Sequence, residues 1–143
     1  MRKAFSGLAT LLVLVVIAQF FFAAVGAFST APHDESYRPH HALGYVIFLL
    51  PVVMTIIAAL ARMPGRLIGM PALVAGLTAV QVLIAELAKE IGDTGNSTTA
   101  GSLISGLHAV NGLAILATAG MIVWQARTLS KATTEPSVAQ PAS

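Results

Sequence analysis

Four long apolar stretches alternate with short polar ones along the chain. They run over about 6–28, 40–61, 67–89 and 102–126. Each has the roughly 20 residues that a helix needs to cross a hydrocarbon core about 30 Å thick. The connections are short and carry turn chemistry. Ser29 to Pro39 is polar with two prolines, Arg62-Met63-Pro64-Gly65-Arg66 is a tight turn, and Ile91 to Gly101 is rich in Gly, Asn, Ser and Thr. Short connections make consecutive helices antiparallel neighbours. The pattern predicts an all-α fold, a four-helix transmembrane up-down bundle over residues 1–128. The second and fourth spans lie on one diagonal, and the first and third on the other. Thr, Ser, Ala and Pro dominate residues 129–143, which read as a disordered cytoplasmic tail.

The polar residues inside these stretches repeat. Gln19-Phe20-Phe21-Phe22-Ala23 is followed, after a polar loop, by His40 with Gly44 four residues on. Gln81-Val82-Leu83-Ile84-Ala85 is followed, after another polar loop, by His108 with Gly112 four residues on. The chain therefore reads as two similar helical hairpins. Polar side chains are expensive in lipid and are placed there for a reason.

Composition fixes the class. Of 143 residues, 56% are hydrophobic and only 10% charged, against roughly 25% charged in soluble domains. The expected environment is the lipid bilayer, with a membrane-protein partner or a second copy of the chain as the possible protein contacts. A net charge of +2 gives no argument for nucleic acid. With no cysteine, disulfides, thiolate metal sites and covalent haem attachment are excluded. Met1-Arg2-Lys3 and Ala27-Phe28-Ser29 imitate the ends of a signal peptide. The apolar run between them exceeds the 7–15 residues expected of one, so a retained span is expected.

Charge orients the bundle. Arg2, Lys3, Arg62, Arg66, Arg127 and Lys131 fall on one side, and only Arg38 and Lys89 on the other. The positive-inside rule puts both termini in the cytoplasm, in a plasma-membrane protein. Asp34, Glu35, Glu86, Glu90 and Asp93, with all four histidines, then lie toward the outer face.

Depth along each span narrows the candidate chemistry. At about 1.5 Å per residue, His40 and His41, counted from Arg62, and His108, counted from Arg127, fall within roughly 3–5 Å in height. Gln19 and Gln81 share a level one to two turns deeper. The diagonal of a square bundle is on the order of 12–14 Å. That distance suits one of His40 and His41, with His108, as axial ligands of a haem b iron. Gly44 and Gly112 leave room for a flat macrocycle on the same faces. Arg38 and Lys89 are placed to pair with its propionates. Other readings stand beside this one: solvated interfacial histidines with no cofactor, a metal ion, a proton-linked role, or a lipid-headgroup site. Gln19, Gln81 and Asn111 read first as structural polar residues that hydrogen-bond between helices. Glu86 and Lys89, three apart, read as an interfacial ion pair. No phosphate loop, dinucleotide fingerprint or His-Glu-x-x-His signature is present, and nothing marks the chain as an enzyme by itself.

Three segments carry a resemblance. They are Ala31 to His40 with Ala42-Leu43-Gly44-Tyr45, Ala59 to Gly69, and Gly106 to Ile115. Together they resemble an uncharacterised family of small actinobacterial four-helix integral membrane proteins, over about residues 1–128. The resemblance implies a membrane location and no assigned activity. In arrangement the bundle also resembles one half of haem A synthase, which has haem-ligating histidines on its second and fourth helices toward the outer face. His40 or His41, with His108, match that placement. The chain has one bundle, no cysteine, and Glu35 at a different spacing before His40, so only the haem-bundle analogy carries over.

Overall fold

The computed structural model describes residues 2–92 and 99–132. Five helices follow in order: α1 (Arg2–Ala27), a short α2 (His33–Ser36), α3 (Arg38–Leu60), α4 (Gly65–Gly92) and α5 (Thr99–Ala132). The four long ones are long and apolar enough to cross a membrane. The chain is an all-α, multi-pass integral membrane protein. Asp93 and residues 133–143 lie outside the described residues. Residues 129–132, assigned to the tail on composition, continue α5 as helix.

The long helices form a square. α1 packs on α3 and α5, and α4 packs on the same two. Among the described residues neither α1 and α4 nor α3 and α5 approach along their backbones, so these pairs are the diagonals. One end of the square carries the histidines. The other carries Arg62, Arg66 and Arg127, the last donating from Nη2 to Thr10 Oγ1 across the α1–α5 boundary at 3.5 Å.

One spacing builds the core in all four helices. The buried seam positions are Phe5, Ala9, Leu12 and Val16 in α1, and Ile47, Pro51, Met54 and Ala58 in α3. They are Leu67, Pro71, Val74 and Thr78 in α4, and Ile115, Ala119, Ile122 and Ala126 in α5. Each set runs at steps of four, three and four residues. Four and three in alternation repeat every seven residues, the seam of left-handed helix packing, in which side chains of one helix enter the gaps of the next. Small residues at several of these positions bring the backbones close. The opposite faces present Leu14, Leu49, Val53, Leu73 and Leu83 outward, as lipid requires.

Threonine hydroxyls on and beside the seam are satisfied within their own helices. Thr55, Thr78 and Thr118 each donate to the carbonyl four residues back, on Pro51, Val74 and Ala114, at 2.8 Å. The turn after α3 is a Schellman motif. Met63 N–H reaches back to Ala58 O at 2.9 Å and Arg62 N–H to Ala59 O at 3.0 Å, with Arg62 left-handed at φ 49°. Pro64 then stops α3 from continuing, and Met63 buries itself beside Ala58.

In lipid, outward-facing side chains lose little on truncation, whereas a seam residue leaves a cavity that nothing fills. We expect Leu12→Ala to cost about 2 kcal/mol and Leu14→Ala less than about 0.5 kcal/mol. Unfolding of the purified protein in mixed detergent–SDS micelles measures both.

Candidate functional site

At the histidine end the seams continue without a break in phase, and their residues become polar. Gln19 lies three residues after Val16, and Gln81 three after Thr78. Gly44 and His40 lie three and seven before Ile47, and Gly112 and His108 three and seven before Ile115. The same rule that buries the core therefore turns two glutamines and two histidines inward at one end of the square.

Gln19 takes hold of His40 twice. The His40 Nδ1–H donates to the Gln19 backbone carbonyl at 3.2 Å, and the Gln19 Nε2–H donates to His40 Nε2 at 3.3 Å. A backbone carbonyl only accepts, so the ring's proton sits on Nδ1. Nε2 is then the acceptor for the amide, and the two bonds assign a single neutral tautomer. Both ring nitrogens flank the same ring carbon, so that edge of the imidazole faces α1. The clasp ties α1 to α3.

The second hairpin solves the same problem differently. Gln81 Nε2 donates to the His108 backbone carbonyl at 2.7 Å, and Gln81 Oε1 accepts from Asn111 Nδ2. Asn111 Nδ2 also donates to Leu77 O at 2.9 Å. The position three after His40, matching Asn111, is Leu43. Without an amide there, Gln19 turns to the imidazole instead. The glutamines do not bond each other, and each instead ties its own helix to the next long one.

The glycines make both arrangements possible. A Cβ at Gly44 would lie 3.8 Å from Gln19 Nε2, and one at Gly112 the same 3.8 Å from Gln81 Nε2. The Phe20 ring fits against Gly112, where a Cβ would come within 3.2 Å of Cζ. The faces beside Gly44 and Gly112 are thus lined by Gln19, Gln81 and Phe20.

Across the α3–α5 diagonal the imidazoles of His40 and His108 stand with centroids 6.3 Å apart. His40, not His41, is the ring opposite His108. His41 is exposed, 6.0 Å from His40 and stacked on Tyr37 at 6.4 Å. Two buried polar atoms of the cluster have no partner among the described residues, Gln19 Oε1 and His108 Nδ1. Arg38 and Lys89 are exposed, and among the described residues neither forms an ion pair, Lys89 with Glu86 included. No group of three or more metal-ligating side chains forms among the described residues.

Sequence reasoning passed over Tyr37. Its ring lies on Gly26, where a Cβ would come within 2.9 Å, and it stacks on His33 at 4.6 Å and meets His40 edge-on at 6.0 Å. The signal was available: His33, Tyr37 and His41 recur every four residues, the spacing of one helical face. The ring roofs the cluster at the end of α1.

Removing the Asn111 amide leaves Gln81 Oε1 without its donor. We expect Asn111→Leu to cost about 0.6–2 kcal/mol, and the Gln81→Leu, Asn111→Leu double variant to cost less than the sum of the single ones. The same micelle unfolding assay reads the cycle, and full additivity would contradict the pairing.

A family of unknown function, DUF6220, matches residues 19–89, from Gln19 through α3 to Lys89 near the end of α4. No curated protein and no solved structure matches the chain. The matched stretch begins on one member of the Gln19–His40 clasp and takes in the whole of it, and the family it resembles carries no assigned activity.

Proposed function

We propose that this protein is a non-catalytic membrane subunit or scaffold that works without a resident cofactor. Its polar cluster serves to fix how the helices are ordered. The observation that carries this reading is the Gln19–His40 clasp, which commits both ring nitrogens of the best-placed histidine to α1. Interhelical hydrogen bonds of this kind stabilise membrane bundles and select one arrangement of helices over its alternatives. The equal seam spacings of α1 and α4, and of α3 and α5, support an origin in two similar hairpins. Arg62, Arg66 and Arg127 at one end support an orientation in the plasma membrane with both termini cytoplasmic and the histidines outward. The outward leucines and valines offer an apolar surface to lipid and to a membrane-protein partner or a second copy.

The second reading is a b-type haem protein in electron transfer or haem handling. One observation favours it, the facing of His40 and His108 across the diagonal at 6.3 Å. The bond from His40 Nδ1–H to a backbone carbonyl is also the kind that orients a ligating imidazole. In that reading His40 and His108 hold the iron, with Gly44 and Gly112 beside it and Arg38 and Lys89 near the propionates. Haem would supply a one-electron couple. To ligate, His40 would have to release the Gln19 amide, and Phe20 would have to leave Gly112.

Titration of the purified protein with haemin separates the two. The cofactor-free reading expects no Soret band beyond that of free haemin, oxidised or dithionite-reduced. A saturating band at one haem per chain, lost in His108→Ala, would overturn it in favour of haem.

A further inference from the structure

We propose that His40 is a proton-binding site inside the bundle, and that the Gln19 side-chain amide is a switch that reads its charge. The direction of one hydrogen bond fixes which ring nitrogen is free to take a proton. Gln19 Nε2 is a donor only, and it meets His40 Nε2 at 3.3 Å, so that nitrogen must present its lone pair. A proton taken up from water at the histidine end binds that lone pair. Two donors then face each other, and the contact becomes repulsive.

Gln19 already holds the remedy. Its Oε1 is buried and has no partner among the described residues. Rotation of the amide by half a turn about its last side-chain bond exchanges Nε2 for Oε1. The imidazolium then donates from Nε2 to Gln19 Oε1 and from Nδ1 to the Gln19 backbone oxygen. The charged ring has both protons accepted by one residue, and the orphaned oxygen is satisfied. A buried cation is tolerated only where its donors are met in this way. The amide nitrogen turns toward the interior, which also holds His108 Nδ1, without a partner among the described residues.

The surroundings limit the site to one proton. The rings that face His40 are Tyr37 from the connection before α3 at 6.0 Å, His41 from its own helix at 6.0 Å, and His108 from α5 at 6.3 Å. α1 brings no charged residue to this level. Glu86, Lys89 and Glu90 of α4 are exposed, and neither carboxylate is within ion-pair distance of an imidazole. Asp34 and Glu35 of α2 are exposed too, and Asp34 lies 3.7 Å from His33 Nδ1. Among the described residues no carboxylate is within ion-pair distance of His40 or His108. Two imidazolium rings this close repel strongly in a medium of low dielectric. The first proton on His40 excludes a second on His108.

The proposal rests on the cofactor-free reading, and its failure is read on different signals. Protein labelled with ¹⁵N at histidine and at the glutamine side chains is placed in lipid nanodiscs. It is titrated between about pH 4 and pH 9, a range that brackets the ordinary imidazole value near 6.5. At the alkaline end His40 is expected to carry its proton on Nδ1. On acidification both ring nitrogens become protonated, and the Gln19 amide signals move with the same midpoint. Gln81, which donates to a backbone carbonyl and accepts from Asn111, stays fixed as an internal control. Gln19 signals that do not move while His40 titrates would overturn the proposal. So would a His40 proton on Nε2 at the alkaline end, or a His40 that keeps one neutral form throughout. Failure of the cofactor-free reading shows instead as a haemin Soret band.

Discussion

A polar group on the inner seam can find its partner only within the bundle, because lipid offers none. Between helices in a bilayer there is little hydrophobic drive, since the surrounding tails are as apolar as leucine. What remains is close packing and the satisfaction of polar groups. The bundle applies these two terms to different lengths of one continuous stripe. Toward the arginine end the stripe is filled by Phe5, Leu12, Met54, Val74 and Ile122, all nearly or fully buried. Toward the histidine end it is filled by Gln19, His40, Gln81, His108 and Asn111, which answer to one another.

The stripe also explains why the two hairpins differ where they do. Each has a glutamine, a histidine and a glycine in the same phase. One substitution, Leu43 in one hairpin against Asn111 in the other, redirects the glutamine. With Asn111 present, Gln81 has an amide partner and turns its nitrogen to the His108 carbonyl, leaving that imidazole free of it. With Leu43 present, Gln19 has only the ring to bind. Two imidazoles in the same phase of the seam thereby acquire different duties. One is clasped, and the other keeps a buried nitrogen without a partner among the described residues. Conformational specificity of this kind is an attested use of buried polar groups, attained without a large gain in stability.

Much of this was legible in the letters. Apolar run length gives four spans, and short connections give the antiparallel square with the diagonals as found. The depth count puts His40 and His108 at one level, and they meet across that diagonal. What the letters did not give was rotation about each helix axis at the polar end. Gln19 and Gln81 share a level, yet they stand on diagonal helices and each finds a nearer partner next door. Run length and depth are one-dimensional, whereas hydrogen-bond choice depends on which side chain a neighbouring helix turns inward. The steps of four, three and four would have supplied that rotation, since Gln19 and His40 fall in phase with Val16 and Ile47. Tyr37 was missed because its role depends on how the loop returns over Gly26, which no period within a helix encodes.

The account turns on whether Gln19 and His40 are held together in lipid. Solid-state NMR of the labelled protein in bilayers tests this without perturbing the cluster, through nitrogen–carbon correlations between the two side chains. The account predicts a cross-peak between Gln19 Nε2 and the His40 ring carbon lying between its nitrogens. A His40 ring that shows contact with bulk water and none with Gln19 would contradict it.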